Sequence, residues 1–418
     1  MAHFWQRAPG RLPVQKLRSG EWLTAARARG YSLILLGVCA IAVIGWIAVS
    51  DGMIDRNGKP LGTDFSNPYA AGTLARAGKP ADAYDPALQH AAERAVFGGR
   101  DVPFYGWHYP PFFFAVAMLV AAVPYAWGLL IWLTASLAAY LAVIRAIAPR
   151  AETMLVALAY PAVFVNIGHG QNGFLTAALL GGALHLLNRR PRLAGVLIGL
   201  LAYKPQFGVL IPLALLAGGR WSAIGAAAAT VAALLVVSTF ALGGGIWHAF
   251  ADSTTFTQTV VLEQGGTGWE KIQSIFSAFR MWGAGVQTAY AVQIALALMI
   301  AASLAWLWQS EAAFELKASA LATGSLLATP YVLDYDLVVL AVSIAFFARH
   351  GQSQGFRDYE ISVLATAWIM PLLARGLTGL TGLPLGLTVL LALYGFTLCR
   401  AIRDRAPLTV GAGRIAQA

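Results

Sequence analysis

Long apolar runs separated by short polar breaks dominate the chain. About 20 apolar residues in helical form cross the roughly 30 Å hydrocarbon core of a bilayer. Runs suited to such spans recur at residues 33–50, 110–147, 152–167, 173–187, 193–217, 221–242, 286–309, 315–331, 336–348, 360–375 and 384–400. Two are interrupted. Pro110, Pro111 and Pro124 bound a short piece at 110–124, and Lys204-Pro205 breaks 193–217. Proline removes a helix donor and clashes with the preceding turn, so each interrupted run is a bent span or a pair of half-spans. The pattern predicts an all-α fold, a polytopic transmembrane helical bundle of about 11–13 spans. It forms one domain over 33–400, between a basic tail (1–32) and a short tail (401–418). The first run, Leu33 to Val49, is preceded by a polar region about as long as a whole signal peptide, so it is expected to stay as an uncleaved span.

The polar stretches carry structure of their own. Residues 51–108 are far longer than a connector needs. Ser66 or Asn67 is placed to cap a helix from Pro68 to Gly78, and Asp85 to cap a second one with Pro86 in its first turn and Gly98-Gly99 beyond its end. The second helix has an apolar stripe of Leu88, Ala91, Ala92, Ala95 and Val96, which suits a helix lying on the membrane surface. Asp64 then sits in a turn just ahead of the first helix. A second long segment, 243–285, contains Trp247, Trp269 and Trp282.

Composition and charge sharpen this picture. Of 418 residues, 58% are hydrophobic and 11% charged, against about a quarter charged in soluble domains. The net charge of +10 is distributed as a topology signal. The N-terminal tail carries Arg7, Arg11, Lys16, Arg18, Arg27 and Arg29 against Glu21. If 110–147 crosses once and 193–217 goes out and back at Lys204, the clusters Arg189–Arg192, Arg349–Arg357 and Arg400–Arg405 share the side of that tail. Both termini are therefore expected in the cytoplasm, with 51–108 and 243–285 outside, and nucleic acid is excluded as a partner. Cys39 and Cys399 lie in apolar runs and offer neither a disulfide framework nor metal spacing.

Acids, amides and imidazoles gather on the outer side. Asp64 suits a general base, which must be positioned within reach of an acceptor hydroxyl, or a helix-cap acid. His108-Tyr109-Pro110-Pro111 re-enters the membrane, and either ring can face a ligand or serve an interfacial belt. His169-Gly170-Gln171-Asn172 joins two spans; its polar side chains suit sugar hydroxyls or a phosphate, or form a simple turn. Lys204 lies deep in an apolar run, where a lysine usually faces a cavity or a partner. Asp334 and Asp336 flank Tyr335 and can bind sugar hydroxyls, hold a cation or cap the helix starting near Leu337. No Gly-rich phosphate loop, zinc spacing or Ser/His/Asp arrangement is evident, and no metal or cofactor is expected.

Taken together, these residues resemble glycosyltransferase family 87, of the multi-span GT-C class. The resemblance rests on Asp64-Phe65 followed by Tyr69, on Tyr109-Pro110-Pro111, Gly170-Gln171-Asn172 and Lys204-Pro205, and on Thr329-Pro330 with Asp334-Tyr335-Asp336. It implies an inverting transfer of a hexose, most often mannose, from a polyprenyl-phosphate donor to a lipid or glycan acceptor on the outer face of the plasma membrane. Asp64 matches the base. Lys204, with Arg280, is expected to meet the lipid phosphate, while Gln171, Asn172 and Asp336 orient sugar hydroxyls. Some relatives carry a histidine where this chain has Leu333. A transporter or flippase of a lipid-linked substrate is the alternative, since charges among broken helices serve transport too; a non-catalytic envelope-assembly subunit is a third reading.

Overall fold

The computed structural model describes residues 11–405; Arg7 and residues 406–418 lie outside the described residues. The chain is a helical bundle. Among the described residues there is no strand, only isolated bridges such as Ile272 with Leu333. Six helices are long and apolar enough to cross a membrane: Ala25–Ala48, Tyr125–Ile147, Trp221–Leu242, Val286–Gln309, Glu360–Thr381 and Leu385–Arg405. Their outer surfaces are apolar, with Phe240 87% and Leu380 85% exposed. In lipid every backbone polar group must be satisfied within the protein, which only helices or closed barrels achieve. The protein is a multi-pass membrane protein.

Several apolar runs are divided into shorter helices, and proline marks the divisions. The run 152–167 becomes Thr153–Leu158 and Pro161–His169, separated at Tyr160. The run 110–147 becomes Phe114–Val120 and Tyr125–Ile147, separated by Pro124. The run 193–217 becomes Pro191–Leu200, Pro205–Gly208 and Ile211–Ala217. A residue before proline is driven out of the α region, so these breaks are written in the chain.

The Pro191–Leu200 helix lies along Trp221–Leu242, and the pairing fixes its direction. A Cβ on Gly195 would stand 2.3 Å from the Ala223 carbonyl oxygen, and one on Gly199 would stand 2.5 Å from Thr230 Cβ. Rising positions meet rising positions, so the helices run parallel, each starting beside arginines (Arg190 and Arg220). The chain between them must return to the basic end, which makes 191–217 a re-entrant hairpin with Lys204 at its tip. Small residues four apart permit this close backbone approach.

At the opposite end, residues 51–108 form a compact cap. Asp85 caps Pro86–Val96 through Oδ1, which accepts from the Ala87 and Leu88 amides at 2.8 and 3.0 Å. Ser66 and Asn67 do not cap: the helix begins at Ser66, straight out of a 3-10 turn over Thr63–Phe65. The Ser66 hydroxyl donates instead to the Thr63 carbonyl, and the Asn67 amide to the Gly106 carbonyl at 2.7 Å. Pro86–Val96 turns polar residues inward. Gln89 and Glu93 are buried, while Leu88, Ala91 and Ala95 face outward. The 243–285 segment is mostly helical, with Ile246–Phe256, a wide turn over Thr257–Glu263, and Ile275–Met281.

Candidate functional site

Asp64 is presented by the Thr63–Phe65 turn. The next residue, Phe65, is fully buried, its ring 5.3 Å edge-on to Tyr125. Opposite stands the turn after Pro161–His169. Gly170 closes that helix at φ 61°, and a Cβ there would lie 2.7 Å from Phe65 Cβ. Asn166 fixes the turn, donating from Nδ2 to the Gln171 carbonyl at 2.9 Å and accepting from the Gly173 amide at 2.9 Å. Trp132 donates to the Gly170 carbonyl at 3.0 Å.

These two turns join through side chains. The Gln171 amide donates to Asp64 Oδ2 at 3.1 Å. The Thr63 hydroxyl lies 3.0 Å from His169 Nδ1 and 3.3 Å from Asp64 Oδ1, and His169 Nδ1 is 3.7 Å from that same oxygen. Tyr109 donates its hydroxyl to Gln171 Oε1 at 3.3 Å and accepts from Asn172 Nδ2 at 2.7 Å. Asn172 Oδ1, although buried, has no partner.

A second group adjoins the first. The Ile272–Leu333 bridge and the Gln273 amide on the Val332 carbonyl dock the 269–273 segment against Asp334-Tyr335-Asp336. Tyr335 is the hub. Its ring lies 5.6 Å from the His169 ring, and Lys204 Nζ and Lys271 Nζ lie 5.3 and 5.5 Å from its centre. Lys204 Nζ is 2.6 Å from Asp336 Oδ1, both side chains being buried, and Asp336 Oδ2 accepts from the Leu333 amide. Asp334 Oδ2 is 3.8 Å from Arg375 Nη1.

Burial works against the Asp64 charge. The positive charges of His169 and Lys271, with the hydrogen bond from Gln171, outweigh it and hold the carboxyl well below the usual carboxylate range. Glu93 is the reverse case. Burial pushes it up to about 8, Asp64 adding to the rise against bonds from the Tyr105 amide and Ser66. Burial lowers His108 to about 4 despite the pull of Asp64.

Of the residues singled out from sequence, Asp64, Tyr109, His169, Gln171, Asn172, Lys204, Asp334 and Asp336 are thus brought into one cluster. His108 stands beside it, bonded through Nδ1 to the Thr257 hydroxyl at 2.6 Å. Tyr69 packs on Phe65 and Tyr125 and donates to the Val123 carbonyl at 2.9 Å, which gives it a structural setting. Arg280 binds the carbonyls of Ala284 and Glu263 and lies over the Trp269 ring. Both cations expected at a phosphate therefore have protein partners, Lys204 in Asp336 and Arg280 in backbone. Sequence reasoning missed Thr63, Lys271 and Arg375. Arg375 had a signal: it is an arginine inside the Glu360–Thr381 span, where a charge marks function by default. Among the described residues no three His, Cys, Asp or Glu side chains converge as metal ligands.

A cleft of about 750 Å³ opens beside the cluster. Thr63, His169, Asp334 and Arg375 line its polar part, and Trp46, Pro371 and Leu380 its apolar part. A fixed carboxylate beside an imidazole and amides, next to a cleft between spans, can accept a proton from a bound hydroxyl.

The family model for glycosyltransferase family 87 matches residues 107–330. That stretch contains Tyr109-Pro110-Pro111, Gly170-Gln171-Asn172, Lys204-Pro205 and Thr329-Pro330, while Asp64 and Asp334-Tyr335-Asp336 lie outside it. No curated protein and no solved structure matches the chain.

Proposed function

The chain belongs to glycosyltransferase family 87, and from that premise we propose that it transfers a mannose from a polyprenyl-phosphate donor to a lipid or glycan acceptor on the outer face of the plasma membrane. The Asp64 end of the bundle then faces outward and the arginine-rich end inward, in keeping with the bias of positive charge toward the cytoplasm.

The observation that carries the reading is the junction of Asp64 with Gln171 and His169, 3.1 and 3.7 Å away. In this reading Asp64 accepts the acceptor's hydroxyl proton while that oxygen attacks the anomeric carbon. The bond to the phosphate breaks on the opposite side, so the carbon inverts. Gln171 and Thr63 hold the carboxylate in its working rotamer, and Tyr109 and Asn172 behind them keep Gln171 from turning. Such positioning supplies much of the rate in a reaction between two bound partners. The unpartnered Asn172 Oδ1 and the Lys204–Asp336 pair provide polar groups for sugar hydroxyls. A lipid donor explains the placement: its phosphate stays at head-group height, so the base must wait there.

The test is to incubate purified protein with polyprenyl-phosphate mannose and envelope lipids and to follow new glycolipid by mass spectrometry. Asp64→Asn is expected to abolish product while leaving the thermal transition of the protein in place. A variant that turns over normally would remove Asp64 from the mechanism. Absence of product from any polyprenyl-phosphate sugar with wild-type protein would overturn the donor.

A further inference from the structure

We propose that Lys271 and Arg375 hold the phosphate of the lipid donor, and that its isoprenoid chain leaves through the cleft between Trp46 and the Glu360–Thr381 helix. This rests on the lipid-phosphate reading above and adds the seat of that phosphate.

The mechanism needs a cation where the leaving group departs. The bond from the anomeric carbon to the phosphate oxygen breaks and its electron pair stays on the phosphate. A singly charged diester becomes a monoester approaching two negative charges, while the acceptor's proton goes to Asp64. The obvious cations are taken: Lys204 lies 2.6 Å from Asp336, and Arg280 donates to two backbone carbonyls. Two others are not. Lys271 is half-buried, faces the Tyr335 ring at 5.5 Å, and has no hydrogen bond or ion pair among the described residues. It is nonetheless fixed in place, because the next residue, Ile272, bridges to Leu333. Arg375 is half-exposed and stands 3.8 Å from Asp334. A charge-assisted bond closes to about 2.7–2.9 Å, so this guanidinium keeps its donors for another anion. Lys271 and Arg375 approach the Asp334-Tyr335 pair from different elements, with His169 and Thr63 next to them and Asp64 one step behind.

The cleft supplies the route. It runs from Thr63, His169 and Asp334 past Arg375 to Leu372 and Leu380, which are 49% and 85% exposed on the lipid-facing surface. Pro371 lies within the helix at this point, where it removes a backbone donor. Asp334 and Glu270 also line the cleft, so a free anion meets acids as well as bases. Only an anion whose apolar chain anchors it in the cleft is held between the two cations, which selects a single-phosphate isoprenoid lipid over bare phosphate.

The test uses full-length protein in detergent. Thermal shifts are measured with polyprenyl phosphate, neutral polyprenol, inorganic phosphate and phosphatidylglycerol, alongside donor and acceptor KM. Wild type is expected to be stabilised by polyprenyl phosphate alone. Lys271→Gln and Arg375→Gln should lose the shift and raise donor KM by about 10-fold or more, the value of a lost charge-assisted bond, with acceptor KM unchanged. Arg375→Lys, which keeps the charge without the fork, should recover part of it. Variants with wild-type shift and donor KM would overturn the proposal and leave the donor reading intact. Equal stabilisation by phosphatidylglycerol would also overturn it, by making the site a general anionic-lipid seat. Wild type indifferent to polyprenyl phosphate and inactive with its sugar esters would instead sink the reading underneath.

Discussion

Asp64 and Gln171 lie 107 residues apart in the chain and 3.1 Å apart in space, amide to carboxylate. Gln171 is held in turn by Tyr109 and the Asn172 amide, so the bond sets the direction of the carboxylate. Gln171→Leu is expected to lower kcat by about 100-fold, the size of effect that a misplacement of about an ångström can produce, with little change in acceptor KM. Wild-type kcat in that variant would show that the bond is incidental.

The pH profile follows from the charges around Asp64. Burial opposes its ionisation, but His169 and Lys271 outweigh that and keep the carboxyl ionised far below neutrality. Loss of activity on acidification should therefore come late in the wild type. His169→Gln removes the largest of the favourable charges, so the Asp64 pKa must rise and the acid limb of kcat/KM must move to higher pH. Lys271→Gln should move it the same way. An acid limb unchanged in both variants would mean that Asp64 does not set it.

Glu93 gives the opposite linkage. Its folded-state value of about 8 stands above its ordinary 4.5. Between those values the unfolded chain has released the proton and the folded protein has not, so stability falls as pH rises through that window. Glu93→Gln keeps a neutral side chain whose single carbonyl oxygen can accept from the Tyr105 amide, while its Nε2 donates to the Ser66 hydroxyl. It is expected to flatten the decline, so that the Tm advantage of the variant grows from pH 5 to pH 8. Parallel Tm curves for variant and wild type would place Glu93 in its ionised form.

The apolar periodicity carried the helical class and most breaks, because proline acts locally: Tyr160-Pro161 and Lys204-Pro205 end helices wherever they stand. The gathering of Asp64 with the 169–172 turn was not written in any local pattern. It depends on Phe65 packing against Tyr125 and on Gly170 leaving room for Phe65, both long-range fits. Lys271 was hidden for a related reason. A lysine in a polar loop looks solvated until the Ile272–Leu333 bridge brings it over Tyr335. On Pro86–Val96 the pattern pointed to the apolar outer face, where Leu88, Ala91 and Ala95 are exposed, but not to the buried face, where Gln89 bonds the Asn67 carbonyl and Glu93 bonds Ser66 and the Tyr105 amide.

The re-entrant hairpin makes a prediction that joins packing to the site. Pro191–Leu200 lies backbone to backbone on Trp221–Leu242, and a Cβ at Gly195 would overlap the Ala223 carbonyl at 2.3 Å. Backbone cannot yield as a side-chain tip does, so Gly195→Ala must push the two helices apart. Overpacking of this kind costs about 1–3 kcal/mol, readable as a lower Tm in detergent. The displacement also travels: Lys204 sits at the hairpin tip, 2.6 Å from Asp336, and a shifted tip loosens that pair beneath Tyr335. Activity is therefore expected to fall together with Tm. Gly225 provides the comparison. It lies on the partner helix, a Cβ there meets nothing within 4 Å, and alanine is the better helix former by up to about 1 kcal/mol. Gly225→Ala should keep full activity and an equal or higher Tm; if both variants behave alike, the close parallel contact does not hold Lys204 in place.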